Sequence, residues 1–425
     1  MKQYNTKQKE MNPIISVLIF LLIIASAVGV YFIKDYNLNF LLAYLVPFIL
    51  IIAFGKKLPR SLGVAARILV GCLFIFSGFV KGVDPIGTAY KIEDYLLAYN
   101  MPLWTLKFST VLAIGLNLVE FLTGIMLLFN IKLKFTLIIT TLMMLFFSTT
   151  TLLDATMNLV KDCGCFGEAV KMTEWQTFYK NLTIDLFVIT LWFTRKKIKP
   201  TFYPNAEIGI ASVFGVLFVG LQSYSLIFLP PIDFRDWKVG NDMKSENHVP
   251  VEYKVKYRNN ASHEELTLDA KDIPFSDSLW MENWTFVEQV VIDNNTHPHN
   301  LVLFSMDGQN ETVNVVSDIN PNIYIVSTYI ENVDIKKFEK LMPIIDYCHQ
   351  KGYNVYFLTA SDYDTYEELA DKLHLDAYFY NADDIELKTI IRSNPGVIAM
   401  ENGIVKKKWS INNVPTIEKL DKVFE

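Results

Sequence analysis

Long apolar runs dominate the first half of the chain, and they constrain its fold more than any other feature. Seven of them precede residue 230, at 13–33, 39–54, 64–80, 109–129, 133–153, 181–194 and 207–229. A helix needs about 20 apolar residues to cross the hydrocarbon core of a membrane. The runs 39–54 and 181–194 are short and need flanking residues to complete a span. The sequence therefore predicts a membrane bundle of about seven helices, with six as the main alternative.

Basic residues between the runs predict the orientation of this bundle. They cluster at Lys2, Lys7 and Lys9, at 56–60, at Lys132 and Lys134, and at 195–199. Cytoplasmic loops are enriched in Lys and Arg. With seven spans in the cytoplasmic membrane, all four clusters are cytoplasmic, and the loops 81–108 and 154–180 lie outside together with residues 230–425. With six spans, residues 230–425 would be cytoplasmic, and the basic clusters would conflict with the expected orientation.

The second half of the chain is polar and acidic. Residues 1–230 contain 20 Lys and Arg against 12 Asp and Glu, whereas residues 231–425 contain 19 against 33. A protein that binds nucleic acid needs a basic surface, so this balance argues against such a partner. All six His lie in the second half, which excludes a His-built metal site within the membrane bundle, and no metal site is predicted.

Periodicity in the second half predicts an α/β domain. A β-hairpin is expected around Asn259-Asn260. Further strands are expected at Val287–Ile292, Leu301–Phe304, Ile323–Ser327, Val355–Thr359, Ala377–Tyr380, Val397–Met400 and Ile404–Ser410. Helices are expected at Asp334–Gly352, Asp364–Leu373, 383–392 and Ile417–Phe424. The order is strand, helix, strand, helix, then an antiparallel hairpin and a last helix.

This order over residues 285–425 resembles the thioredoxin fold. The resemblance implies that Pro395 occupies the family's cis-proline position before the hairpin. The family's Cys-x-x-Cys follows the first central strand, where this chain has Ser327-Thr328-Tyr329-Ile330-Glu331. Without those thiols the domain cannot perform dithiol exchange by the family's mechanism. Pro395, Ser327 and Thr328 are therefore candidates for binding an extended partner segment.

The membrane half contains a second set of motifs. They are Arg67-Ile68-Leu69-Val70-Gly71, Phe76-Ser77-Gly78, Lys81, Asp84-Pro85, Glu120 and Asp162-Cys163-Gly164-Cys165-Phe166-Gly167. Together they resemble the DoxX/MauE family of four-helix membrane proteins, and the added thioredoxin-like domain is similar to its larger Bacteroidetes members. The resemblance implies, for the MauE branch, maturation of a disulfide-rich periplasmic enzyme alongside a separate thioredoxin-like partner and, for DoxX relatives, quinone-linked sulfur oxidation. Nothing in the residues indicates an amine substrate.

These patterns predict five segments. They are two N-terminal membrane helices (1–60), a DoxX/MauE-like four-helix domain (61–200), a seventh membrane helix (201–231), a β-rich connection (232–284) and a thioredoxin-like extracytoplasmic domain (285–425).

Cys163 and Cys165 are candidate redox residues. A disulfide between cysteines one residue apart closes a very small ring, so we expect it to be strained and easily reduced. Strained, exposed disulfides are the labile and catalytic kind. The alternatives are a loop staple, a bond to a different cysteine, or a metal site, which two thiolates without His would leave incomplete.

Glu120 is the second candidate catalytic residue. It lies in the middle of an apolar run, where a carboxyl is costly and usually faces the bundle interior. It is expected to be protonated or paired with a donor such as Lys81. Its role is either a structural hydrogen bond between helices or the handling of protons or a ligand.

Three functions are compatible with these features. The first is a thiol-redox or maturation factor, with membrane lipid and a periplasmic thiol protein or client as partners and a quinone as the candidate acceptor. The second is a non-enzymatic scaffold that recruits envelope partners. The third, a small-solute transporter using Glu120, has the least support, because no inverted repeat or broken helix pair is evident.

Overall fold

The computed structural model of the chain describes every residue except 1–12, 33–40, 158, 161–165, 171, 245–251, 261, 263–264, 270–273, 275–277 and 293–299. The chain forms two compact units, Met1–Phe234 and Arg235–Glu425. The first unit is helical, and the second combines helices with two β-sheets. This confirms the predicted fold class of a helical membrane bundle with a separate α/β domain.

The described part of the first unit contains eight α-helices. They are α1 (Pro13–Phe32), α2 (Leu41–Phe54), α3 (Arg60–Val83), α4 (Pro85–Ala98), α5 (Ser109–Leu128), α6 (Leu133–Met157), α7 (Glu174–Thr194) and α8 (Pro204–Ile227). Seven of these helices coincide with the seven predicted apolar runs. The eighth, α4, lies in the loop 81–108.

Four segments of the described chain are long and apolar enough to cross a membrane. They are Arg60–Val83, Leu103–Leu128, Leu133–Met157 and Pro204–Ile227. The helix α1 contains a shorter apolar stretch, Ile15–Ser26. The count of seven spans stays a prediction, since α2 has 14 residues and α7 contains Lys180 and Asp185.

The helix α7 lies at the centre of the apolar core. Its buried residues pack with those of α1, α2, α3 and α6, and Tyr179 stacks on Tyr44 with ring centroids 5.5 Å apart. On another side of the bundle, Phe218 of α8 stacks on Phe121 of α5 at 4.1 Å. Many apolar side chains on the outer surface are exposed, as expected for helices that face lipid.

The second unit contains eight strands among its described residues. They are β1 (Glu252–Asn259), β2 (Glu265–Asp269), β3 (Trp284–Ile292), β4 (Asn322–Ser327), β5 (Asn354–Thr359), β6 (Tyr378–Asn381), β7 (Gly396–Glu401) and β8 (Ile404–Ser410). Its helices are α9 (Ser278–Asn283), α10 (Thr312–Val316), α11 (Ile335–Glu339), α12 (Met342–Lys351), α13 (Tyr363–Leu373), α14 (Asp384–Ile390) and α15 (Ile417–Phe424).

These strands form two sheets. The smaller sheet has the antiparallel order β2-β1-β3, so the predicted hairpin around Asn259-Asn260 is confirmed. The larger sheet has the order β6-β5-β4-β7-β8, in which β4, β5 and β6 are parallel and β7 and β8 are antiparallel to their neighbours. The peptide bond Asn394–Pro395, immediately before β7, is cis as the resemblance implied.

Two predicted elements of the second unit are wrong. Leu301–Phe304 is not a strand, because it makes only isolated bridges at Phe304. The single helix predicted over Asp334–Gly352 is two helices, α11 and α12. Pro343 lies in the first turn of α12, where its missing N–H is tolerated, whereas one continuous helix would place it in the interior. The strand β3 pairs with β1 and not with the larger sheet; the domain boundary at 285 stays a prediction.

Candidate functional site

A buried ion pair joins α3 to α5 inside the helical unit. The Lys81 Nζ atom lies 2.8 Å from the Glu120 Oε2 atom, and the two side chains are only 8% and 4% exposed. The Lys81 ammonium also lies 5.2 Å from the centre of the Phe147 ring on α6. The predicted pairing of Glu120 with Lys81 is therefore confirmed.

Two glycines let the helices carrying this pair approach closely. A Cβ atom added at Gly78 of α3 would lie 2.7 Å from the Phe121 backbone N atom. One added at Gly124 of α5 would lie 2.6 Å from the Ile75 backbone N atom. Small residues allow such contacts between the backbones of membrane helices. Lys81 and Glu120 lie one helical turn from these glycines, so their side chains meet across the interface.

The C-terminal end of α3 is held by further polar contacts. The Asn117 amide on α5 donates a hydrogen bond of 3.1 Å to the Lys81 carbonyl oxygen. The Asp84 carboxylate accepts a hydrogen bond of 3.1 Å from the Gly87 N–H and caps α4, where Pro85 is the first residue. Asp84 and Pro85 therefore end one helix and begin the next, while Lys81 points into the bundle.

The ion pair borders a very small cavity. Its volume is about 20 Å³, and its walls include Lys81, Glu120, Phe147, Phe166 and Asn181. A polar cavity needs about 10–15 Å³ to hold one water molecule. The space beside the ion pair is therefore large enough for a single water and for no larger ligand.

Phe166 lines this cavity, and it follows directly after Cys165 in sequence. Its ring is packed against Phe76 with centroids 5.4 Å apart, and the Lys180 Nζ atom lies 4.4 Å from its centre. Cys163 and Cys165 lie outside the described residues, so their roles stay predictions. The described chain thus brings Phe166, next to the thiol motif in sequence, to the buried ion pair.

Sequence reasoning missed several polar contacts between α6 and α7. The Asn181 amide donates a hydrogen bond of 3.1 Å to the Thr151 hydroxyl, and Ser148 donates one of 2.7 Å to Asp185. Asn181 and Asp185 are four residues apart and so share one face of α7. The spacing of four residues between Asn181 and Asp185 was the available signal for a polar face, but the threonines nearby in α7 made this face hard to recognise from sequence.

The candidate partner-binding residues of the second unit lie together. The Asn394 side-chain oxygen accepts hydrogen bonds from the Ser327 hydroxyl at 2.9 Å and from the Thr328 N–H at 3.1 Å, next to Pro395. Ser327 and Pro395 are buried, whereas Thr328 is half-buried. Ser327 thus holds the loop through Asn394, and partner binding at this place stays a prediction.

The turn in the expected Cys-x-x-Cys position is fixed by hydrogen bonds. The Ser361 hydroxyl accepts a hydrogen bond from the Ile330 N–H at 2.9 Å and donates one to the Glu331 carboxylate at 2.7 Å. Cys348, on α12, is buried in the domain core, and burial raises the pKa of its thiol to about 12. The thiol of Cys348 is therefore a packing group.

The described residues offer no cluster of three or more His, Cys, Asp and Glu side chains suited to a metal ion. Cys72, in α3, is exposed at the bundle surface and does not fill the core. Among the described residues of the bundle, the candidate functional groups are thus the Glu120 carboxyl and the Lys81 ammonium, together with their hydrogen-bond partners.

The fold and this site define a multi-pass membrane protein with a charged pair inside its helical bundle. Residues 59–194 match the model of the family described as Methylamine utilisation protein MauE. This segment includes Lys81, Glu120 and both cysteines of the loop, and it is a MauE family domain. No curated protein and no solved structure matches the chain.

Proposed function

We propose that this protein is a thiol-redox or maturation factor for envelope proteins. The supporting observation is that the buried Lys81–Glu120 pair lines the same small cavity as Phe166, the residue that follows Cys165 in sequence. Oxidation of the two thiols forms one S–S bond and releases two protons and two electrons. The electrons pass to a quinone or, by exchange, to a partner disulfide, which becomes a dithiol.

The charged pair is suited to the proton part of this reaction. Glu120 has a carboxyl group that can exchange a proton, and the Lys81 ammonium lies 2.8 Å from it. The adjoining space can hold one water molecule beside this carboxyl group. In this proposal Glu120 exchanges protons with the thiol pair, and Lys81 holds it in position.

The C-terminal domain is proposed to be thioredoxin-like and to bind clients without redox chemistry of its own. Support comes from the order β5-β4-β7-β8 and from the cis bond at Pro395, both of which agree with the fold that the sequence resembles. The turn after β4 lacks cysteine and is tied to Ser361. The membrane cysteines would therefore be the reacting thiols.

The proposed location is the cytoplasmic membrane, with the cysteine loop and residues 230–425 on the extracytoplasmic side. Four basic clusters support this orientation. On that side, thiols meet an oxidising environment in which disulfides form and persist.

Trapping of mixed disulfides tests the proposal. Cells producing Cys163→Ser or Cys165→Ser are quenched with acid and alkylated, and covalent complexes are identified by mass spectrometry. We expect one of these variants to accumulate a complex that reductant dissolves, because the remaining thiol cannot resolve it. The matched controls Cys72→Ser and Cys348→Ser should accumulate none.

A scaffold without enzymatic activity is the second candidate, and the cysteine-free turn after β4 favours it. It predicts that the double variant Cys163→Ser/Cys165→Ser leaves the thiol state of all envelope proteins unchanged, while deletion of residues 285–425 abolishes function. That pair of results would refute the redox proposal.

A further inference from the structure

A groove on the surface of the helical unit runs between α2, α6 and α7. Its volume is about 460 Å³, within the usual range for small-molecule sites, and its walls are almost entirely apolar. Two of the residues that line it, Leu45 and Leu145, are 42% and 66% exposed at the outer surface of the bundle. The groove is therefore continuous with the surface that faces lipid, and a molecule within the bilayer can enter it sideways.

The few polar groups in the groove are already bonded within the protein. The Trp192 Nε1–H donates a hydrogen bond of 2.8 Å to the Thr141 hydroxyl, which donates one of 2.7 Å to a carbonyl of its own helix. The Ser148 hydroxyl donates one of 2.7 Å to Asp185, and the Tyr44 hydroxyl donates one of 3.3 Å to a carbonyl of α1. Among the described side chains that line the groove, no hydroxyl or indole donor is free, so the groove favours a hydrocarbon chain.

Basic residues continue two faces of the groove beyond its end. On α6, the exposed Lys134 lies two helical turns before Thr141 on the same face, at a distance of about 10 Å along the helix. After α7, the exposed Lys196 follows Trp192 by one helical turn. The Arg195 guanidinium stacks on the Trp192 ring, with its central carbon 4.5 Å from the ring centre. Three cations thus lie towards one end of the groove.

Contacts between the connecting segments show that these cations belong to the same end of the bundle. The Asn130 amide, in the turn before α6, donates a hydrogen bond of 2.7 Å to the Lys199 carbonyl, just after the basic run that follows α7. The Lys197 ammonium donates one of 2.5 Å to the Leu58 carbonyl after α2. None of the three cations makes an ion pair with an acidic group that the structure describes. The described chain therefore leaves the positive charge at this end of the groove without a counter-charge.

We propose that the groove binds one acyl chain of an anionic phospholipid, whose headgroup phosphate binds Lys134, Arg195 and Lys196. Arginine recognises phosphate through two parallel N–H donors, and lysine adds a point charge on a flexible stem. Basic pockets between membrane helices bind the headgroups of anionic lipids. One lipid molecule satisfies both parts of the site, because its chain starts at the headgroup and needs no polar partner along its length. The site does not depend on the proposed thiol chemistry.

The test is lipid binding to the purified full-length protein in detergent micelles, measured by native mass spectrometry. The probes are palmitoyl-oleoyl phosphatidylglycerol, phosphatidylcholine with the same chains, and dihexanoyl phosphatidylglycerol, which has the same headgroup on short chains. Each basic residue near an anionic headgroup contributes about fivefold in affinity, so the long-chain phosphatidylglycerol should bind at least about tenfold more tightly than phosphatidylcholine. The short-chain lipid should bind weakly, because its chains cannot fill the groove.

One pair of variants tests the headgroup contacts. Lys134→Gln/Lys196→Gln should reduce the preference for phosphatidylglycerol over phosphatidylcholine about tenfold, because it removes two cations from the site. The matched control is Lys91→Gln/Lys107→Gln, which removes the same charge at the other end of the bundle, near the start of α5. It should leave the preference unchanged within about twofold, since neither lysine is near the groove.

A second pair tests the acyl chain. Leu145→Trp fills the groove and should weaken binding of the long-chain phosphatidylglycerol about tenfold. Leu142→Trp is the matched control, because Leu142 is 61% exposed on the same helix but does not line the groove. It should change the affinity less than about twofold.

A phosphatidylglycerol with a diazirine in its acyl chain gives a readout that does not depend on any variant, and it should cross-link to peptides of α2, α6 or α7. Equal binding of phosphatidylglycerol and phosphatidylcholine, equal binding of the short-chain lipid, or unchanged affinity in Leu145→Trp would overturn the proposal. So would cross-links confined to other helices, or a second copy of the protein that occupies the groove and excludes the lipid.

Discussion

Removing one partner of the Lys81–Glu120 pair should destabilise the bundle strongly. Opposite charges 2.8 Å apart attract by about 6 kcal/mol at an effective dielectric constant of 20. Much of this attraction offsets the cost of removing both charges from water, so the pair itself contributes little net stability. A single substitution is different, because it leaves the other charge buried without its partner. Such losses cost about 3–5 kcal/mol.

The measurement is the free energy of unfolding in mixed detergent micelles, followed by far-ultraviolet circular dichroism. We expect Glu120→Leu and Lys81→Met each to lose about 3–5 kcal/mol, and the double variant to regain most of that loss. Lys91→Met is the matched control, because its partner Asp94 is 3.6 Å away and both side chains are partly exposed. It should cost under about 1 kcal/mol.

The reasoning is refuted if Glu120→Leu costs under about 1 kcal/mol. It is also refuted if the double variant is no more stable than the weaker of the two single variants, since coupling between the charges is then absent.

Three further predictions concern helix packing, acid stability and thiol reactivity. Gly78→Ala should cost about 1–3 kcal/mol in the same unfolding assay, because the added Cβ atom meets the backbone of α5. The control Gly115→Ala should cost little, because the space around Gly115 is open. Equal losses in the two variants would contradict the account. Burial opposes ionisation of Asp318, but hydrogen bonds from Asn354, the Asn320 backbone and Tyr356 outweigh it and lower the pKa of Asp318 from 3.8. The stability that this carboxylate contributes is therefore present above about pH 4 and is lost as the pH falls through the folded pKa. Tyr356→Phe should move the acid-unfolding midpoint, followed by fluorescence, to higher pH, and an unmoved midpoint would count against this. Maleimide should label Cys348 about a thousandfold more slowly in the folded protein than in the unfolded chain, because burial raises the pKa of its thiol from 9.0 to about 12. Labelling is measured by mass spectrometry, and rapid labelling of the folded protein would contradict the burial of Cys348.

The helices and the larger sheet were predictable because their signals are local. A long apolar run predicts a helix wherever its partners lie, and short runs such as Val355–Thr359 have the length and β-branched content of a buried strand. The pairing of Lys81 with Glu120 was predictable for a different reason. A charge that deep in an apolar run needs a partner, and Lys81 is the cation that directly follows the third run.

The remaining features depend on tertiary contacts that no local pattern encodes. The strand β3 has the composition of a strand in either sheet, and only its pairing with β1 assigns it to the smaller one. Asp185 lies in a helix that is apolar on most sides, so periodicity does not indicate which neighbour it faces. The contact between Ser148 and Asp185 therefore required the structure.

The central claim is that Cys163 and Cys165 are a reversible redox pair on the outer side of the membrane. The direct measurement is labelling of both thiols in intact cells with a membrane-impermeant maleimide, before and after a brief pulse of impermeant reductant, with a mass-spectrometric readout. The account predicts protection before the pulse, labelling of both thiols after it, and restored protection once the reductant is removed. Full labelling before the pulse, or labelling only after the cells are permeabilised, would contradict it.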